Sequence, residues 1–403
     1  MVLAGTGLAV LSAPAGASVP RPVVYVADGG TTHALVPLDL SSDSAGAPIS
    51  LGSKVPIGVA VTPDGKTALV VTIGNRTAGL PGSVIPVNTA THKAGAPIAV
   101  GPDPQAIVVT PDGRTAYVLN GNDATSSAGS GTTVTPIDLA TDTAGAGIPV
   151  GTLPFDMTMS ADGTSLYLIN EVTGATSGPS TITPVATATD TARPPIDVAA
   201  SALALSPDGS TIYAITAGKV EPIDAATGTA GPAIAVASSP QALVVLPDGR
   251  TLYVLSAPAP GSGTKGPTVL TPIDTATDRA GPPVALPKGP SPTTWELSAA
   301  RNSKTVYVLY TGGPGSHGEV VPVRTSTDTR LAPMAVGTNA FQMVQAPKGS
   351  LAFVLNQGID EPSSPGTHPL RVASTVTEID TATNTVTATI GVKLGASAIG
   401  VAR

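Results

Sequence analysis

The sequence predicts an all-β fold, a single β-propeller of eight four-stranded blades. Three observations predict it. A tight-turn motif recurs along almost the whole chain. Each period between turns splits into four short extended runs. The two chain ends are out of phase, so that one supplies the run the other lacks.

The turn is clearest at Thr110-Pro111-Asp112-Gly113-Arg114-Thr115. Pro111 sets φ for the first corner, Asp112 hydrogen-bonds back onto the turn, and Gly113 supplies a positive φ. Apolar, β-branched runs flank it, Gln105 to Thr110 before and Thr115 to Asn120 after. Two such runs joined by so short a turn must be antiparallel neighbours. A lone hairpin is marginal in water, so the unit needs sister units to pack on.

The copies begin at Pro63, Pro111, Ala161, Pro207, Pro247, Arg301 and Pro347, with spacings of 48, 50, 46, 40, 54 and 46 residues. Hairpins at a period in the forties are the mark of a propeller blade. In the third blade the third run is Thr133 to Asp138 and the fourth is Gly147 to Val150. The third run recurs eight times, and in the third blade it carries Pro136, which belongs at a strand edge or bulge. The chain starts with second, third and fourth runs (Val23 to Leu51) and ends with a first run (Ala398 to Ala402). Joining them closes the ring and removes its open edge. Eight blades follow, with seven as the alternative.

Residues 1–22 differ in character. Val2 to Leu11 is apolar, and Ala15-Gly16-Ala17 fits a small-x-small cleavage site before Ser18. The expected organisation is a secretory signal peptide at 1–17 and the propeller at 18–403. No positive charge precedes the apolar run, so the leader is expected to be N-terminally truncated. The expected location is secreted, extracellular or in the cell envelope.

Composition narrows the function. The 403 residues include no cysteine, which excludes disulfides, thiolate metal sites and cysteine nucleophiles. Net charge is −7 with no basic run, which disfavours nucleic acid and anionic lipid. No stretch offers the ~20 apolar residues of a membrane-spanning helix. Nucleophile-elbow, zinc-protease and phosphate-loop motifs are absent. No cofactor is expected, and the expected state is a monomer.

Tyr117-Val118-Leu119-Asn120 and Tyr167-Leu168-Ile169-Asn170, with Pro-Asp-Gly turns and Thr-Pro-Ile-Asp runs, resemble the YVTN family of β-propeller repeats. The resemblance covers residues 23–403. It implies bacterial secreted or surface-layer-like proteins, mostly binding or surface modules and commonly seven-bladed. It transfers no catalytic residue. Tyr25, Tyr117, Tyr167, Tyr213, Tyr253 and Tyr307 share one place in the second run, with Leu69 and Phe353 completing the set. They read as blade-to-blade packing.

Function is expected where the repeat breaks. Connections between second and third runs vary in length, so the face they share with the fourth-to-first connections is the candidate binding face. At the start of the first runs, the aligned residues are Ile57, Gln105, Phe155, Ser201, Gln241, Trp295, Phe341 and Ile399. The next are Gly58, Ala106, Asp156, Ala202, Ala242, Glu296, Gln342 and Gly400. The candidate ligand-binding residues are therefore Phe155, Asp156, Trp295, Glu296, Phe341 and Gln342. Aromatic walls beside a few polar groups suit a sugar or small molecule. The same side chains suit a plug for the wide channel of an eight-blade ring.

Asp156 and Glu296 are also candidates for an acid/base pair, which makes a lyase or hydrolase the alternative to a binding module. His33, His317 and His368 fall in loops of neighbouring blades near Asp28, Glu319, Asp360 and Glu361. They are weak metal candidates, because no two have ligand-like spacing. The expected partner is a protein, glycan or small-molecule ligand at the variable face.

Overall fold

The computed structural model describes residues 22–30, 32–74, 81–121, 132–170, 180–237, 239–257, 268–287, 295–312, 316–361, 370–393 and 395–401. The expected leader at 1–17 lies outside them. The described chain is all β, with no helix. Eight antiparallel sheets form an eight-bladed propeller. The inner strands of blades 2 to 8 are Pro56–Val61, Pro104–Val109, Pro154–Met159, Ala200–Leu205, Pro240–Val245, Trp295–Ala299 and Ala340–Gln345. The inner strand of blade 1 is the last of the chain, Ala396–Val401, paired with Val24–Asp28. The ring closes as the complementary ends predicted.

The inner hairpin turn builds its own hydrogen-bond cage. Thr110 Oγ1 donates to Asp112 Oδ1 and accepts from Thr115 N at 3.1 Å. Asp112 Oδ1 also accepts from Arg114 N at 3.0 Å. Thr62/Asp64, Ser160/Asp162 and Ser206/Asp208 repeat the arrangement. These hydrogen bonds hold each aspartate below its ordinary pKa. Gly113 takes φ 71°, and in the degenerate turn Ser303 takes φ 58°.

The proline of the third strand has a structural consequence. Pro136 O accepts from Gly145 N at 2.8 Å, but Pro136 has no N–H to return. The ladder to the outer strand breaks there, into Thr143–Ala144 and Ile148–Pro149. Pro37, Pro86, Pro184, Pro222, Pro272 and Pro322 hold the same position, and every one of their outer strands is interrupted. Blade 8 has Glu378 instead. Its outer strand, Thr385–Gly391, runs seven residues with one bulge at Thr387.

Blades meet through apolar layers. Eight buried clusters are present among the described residues, one for each pair of neighbouring blades. The cluster between blades 8 and 1 joins Phe353, Leu355 and Ile390 to Val24, Val36 and Ile399. Closure is therefore as apolar as any other interface.

The repeated tyrosines pack in these layers and also stitch them. Tyr253 Oη donates to Asp328 Oδ1 of the next blade at 2.6 Å, Tyr117 to Asp190 at 2.7 Å and Tyr307 to Asn384 at 2.7 Å. Each acceptor sits in the turn between third and outer strands with φ near the left-handed region: 48°, 50° and 55°. Desolvation raises these phenols; Tyr213 and Tyr307 are pushed up to about 12. In blade 2 the turn position is His92, which meets Tyr25 edge-on at 6.4 Å.

Blade 8 has Phe353 at the tyrosine position, and the next blade's turn presents Asp43 at φ 50°. Phe353→Tyr is expected to raise unfolding free energy by about 1 kcal/mol, the net worth of one hydrogen bond. Urea denaturation checks it; no gain would mean that the Asp43 turn does not meet the new hydroxyl.

Candidate functional site

Inner strands begin on the face that carries the variable loops. Their first residues form the mouth of the central channel on that face. In blades 2, 3, 4, 5, 6 and 8 a β-bulge sits there: Pro104 pairs with Asn120 and Ala106 with Leu119, leaving Gln105 between them. A bulge re-aims one side chain out of the ladder. The bulge residues are Ile57, Gln105, Phe155, Ser201, Gln241 and Phe341, as aligned from sequence.

Blade 1 corrects the alignment. Asp28 pairs with Ala396 and Ala27 with Ala398, so Ser397 and Ala398 hold the register assigned to Ile399 and Gly400. The final strand has no turn after it to count back from, which is why spacing misplaced it. In blade 7, Trp295 pairs directly with Tyr310 and Glu296 with Leu309, without a bulge between them. The Trp295 side chain lies outside what the structure describes.

The small polar bulge residues turn back onto backbone. Ser397 Oγ donates to Ala27 O and Pro56 O, Ser201 Oγ to Ile215 O at 3.4 Å and Gln241 Nε2 to Ser239 O at 3.3 Å. Phenylalanine has no such option. Phe155 is 45% exposed and Phe341 51% exposed. With Val386 they are the exposed large hydrophobics among the described residues. Blades 4 and 8 stand four places apart in a ring of eight, so the two phenyl rings occupy opposite sides of the mouth. Leu153, two residues before Phe155, is held at φ 44°, a conformation uncommon for a bulky side chain.

The residues after the bulge behave differently. Glu296 Oε2 accepts from Met343 N of blade 8 at 2.9 Å. Gln342 Oε1 accepts from Ile399 N of blade 1 at 3.2 Å. These are one geometry in successive blades: a side-chain oxygen caps the free inner edge of the next inner strand. Gln345 Nε2 donates to Ser298 Oγ at 3.0 Å across the same junction as Glu296. Burial pushes Glu296 up to about 7 despite the Met343 N–H that favours its charge. Burial also raises Asp156, partly opposed by the Met157 N–H. Both carboxyls thus retain protons more strongly than free ones.

Of the six predicted residues, the structure brings Glu296, Phe341 and Gln342 together across adjoining blades. Phe155 and Asp156 lie on the opposite wall. Asp156 and Glu296 stand three blades apart, and Glu296 already engages the wall of blade 8. Among the described residues there is no group of three or more His, Asp or Glu placed to hold a metal ion. His33 is half-buried at φ 44° and His317 is exposed at the start of a third strand. His368 lies outside the described residues, as do the side chains of Asp360 and Glu361.

Sequence reasoning missed a second polar ring, one strand outward. The last residues of the second strands include Asp28, Thr72, Asn120, Asn170, Thr216, Ser256 and Asn356, all buried. Asn120 Nδ2 donates to Thr135 Oγ1 at 2.9 Å, and Asn170 and Asn356 do the same to Thr183 and Thr377. A Cβ on Gly101 would fall 2.6 Å from Asn120 Cγ, and Gly151 and Gly337 face Asn170 and Asn356 equally closely. The signal was the co-occurrence of Asn with an upstream Gly within the same repeats. Through their amide nitrogens the three asparagines tie the second strand to the third within each blade. Clefts of about 530 Å³ between blades 4 and 5 and about 220 Å³ beside Tyr117 open among the turns of the opposite face.

No protein-family model matches the chain, and no curated protein matches it. Solved structures do. One is hydrazine synthase of Kuenenia stuttgartiensis, at 21% identity and TM-score 0.53, over 74% of this chain and 92% of that one. Another is the dihydro-heme d1 dehydrogenase NirN in complex with DHE, at 14% identity and TM-score 0.61, over 95% and 76%. A functionally unknown protein of Desulfotomaculum acetoxidans aligns at 12% identity and TM-score 0.54, over 95% and 99%. At these identities the likeness is one of fold alone.

Proposed function

We propose that the chain is a secreted or cell-surface binding module that takes a protein, glycan or small-molecule ligand at the channel mouth of its variable face. One observation carries this reading. Two phenylalanines are left exposed at one register on opposite walls, where Ser201, Gln241 and Ser397 of sister blades turn back onto backbone. An exposed aromatic pair beside Asp156 and Gln342 offers apolar stacking together with hydrogen bonding, the chemistry that suits a sugar ring or an amphipathic side chain. The Tyr-x-x-Asn strands support assignment to the YVTN type, and the apolar run before Ser18 supports export with removal of residues 1–17.

Screening glycans and small amphipathic ligands by thermal shift tests the site. Phe155→Ala with Phe341→Ala is expected to cancel any ligand-induced shift, with the unliganded Tm within about 2 °C of wild type, because exposed side chains contribute little to folding. A large fall in Tm with binding retained would assign the two rings to a plug.

A propeller enzyme of lyase or hydrolase type is the second reading, favoured by Glu296, whose proton affinity lies near neutral pH. Uniform inactivity across broad substrate classes would remove it, and activity that survives both Glu296→Gln and Asp156→Asn would take the chemistry away from these two carboxyls.

A further inference from the structure

We propose that the outer strand of blade 8, Thr385–Gly391, pairs edge to edge with the same strand of a second copy, making the protein a two-fold dimer rather than the monomer expected from sequence. The strand is the last in its sheet, so its outward N–H and C=O groups have no strand partner among the described residues. Such an edge is a template for strand addition, and proteins ordinarily blunt it with proline, charge or short length. Seven blades use the proline of the third strand, which interrupts their outer ladders. Blade 8 alone has Glu378 there, and its outer strand alone runs seven residues. The exception is specific to one blade, and it comes with exposure: Val386 is the one exposed large hydrophobic away from the channel mouth among the described residues.

The sequence of the strand selects the occupant. Thr385-Val386-Thr387-Ala388-Thr389-Ile390-Gly391 has nearly the same pattern read in either direction about Ala388. Antiparallel pairing across a two-fold axis there sets Thr387 opposite Thr389 and lays the exposed Val386 against the backbone of the second copy at Ile390, whose own side chain is buried between blades 8 and 1. Thr–Thr cross-strand pairs are favourable. No charged residue occurs from Thr383 to Val392, so nothing on the edge repels its own copy. A two-fold interface requires a self-complementary surface, and this strand is one. The bulge at Thr387 adds local twist to both copies equally.

Sedimentation equilibrium of the full chain over a range of concentrations tests the pairing. Wild type is expected to show a reversible monomer–dimer equilibrium. Val386→Lys with Thr389→Lys puts two charges on the edge of each copy. It is expected to raise the dimer dissociation constant at least about tenfold, with circular dichroism and Tm retained. Since the chain lacks cysteine, Thr389→Cys gives a single reactive site. A short bis-maleimide is expected to couple it into covalent dimers, while Thr143→Cys on the interrupted edge of blade 3 stays uncoupled. A single-chain mass at every concentration overturns the proposal. So does a dimer that survives both lysines in a folded variant, or equal coupling at 389 and 143. If the lysine variant fails to fold, the cysteine pair decides.

Discussion

Glu296→Gln is expected to stabilise the protein by about 3 kcal/mol at pH 8 and to leave it nearly unchanged at pH 4. Burial lifts the folded-state carboxyl to about 7 from 4.5. Between those values the folded chain binds the proton that the unfolded chain has released. Stability from this group is therefore complete below about pH 4.5, falls as pH rises, and is gone above about 7. The hydrogen bond from Met343 N needs only an oxygen acceptor, not a charge. Gln342 provides one to Ile399 N in the next blade. Glutamine at 296 keeps the cap and removes the titration.

Urea unfolding of both proteins from pH 4 to 8 measures the effect as a difference, so the aspartates of the turns cancel. Their lowered pKa values act in the opposite direction, losing stability as pH falls. Parallel curves for the two proteins would show that Glu296 is solvated at the channel mouth. Glu296→Ala separates charge from cap: it leaves Met343 N without its acceptor and is expected to destabilise at low pH, where glutamine does not.

Removal of residues 396–403 is expected to abolish cooperative folding. Those residues provide the inner strand of blade 1, with five paired positions from Val24↔Val401 to Asp28↔Ala396. Ala396, Ala398 and Ile399 are at most 8% exposed. Without them Val24–Asp28, buried throughout, becomes a bare apolar edge facing an open channel. Ile399→Ala is the milder form, expected to cost about 2–5 kcal/mol because the side chain fills the layer between blades 8 and 1. A permuted chain that places residues 396–401 before Val24, through a five-residue turn like those of the other blades, is expected to refold. Tryptophan fluorescence and circular dichroism during heating follow all three. A truncated protein that melts as sharply as wild type would mean the ring holds without its final strand.

The blade count and the closure were legible in the chain because the turn chemistry is local. Pro-Asp-Gly at a near-constant period, and a first run found only at the far end, define hairpins without knowledge of their neighbours. The candidate register was also legible, since it follows by counting from those turns. It failed at Ser397, where no turn follows, and it did not reveal the missing bulge at Trp295.

What the side chains at that register do was decided only by the assembled ring. Asp156, Glu296 and Gln342 look alike in sequence, but Glu296 and Gln342 are caps for the next inner strand, because closure sets each free strand edge against the preceding blade. The same holds for Tyr253 and Asp328, seventy-five residues apart and joined by a hydrogen bond that no local pattern contains. Local sequence determines which segments are strands and where they turn. Only packing around a closed ring determines which polar groups find partners and which phenylalanines are left facing solvent, because those outcomes depend on groups a full repeat away.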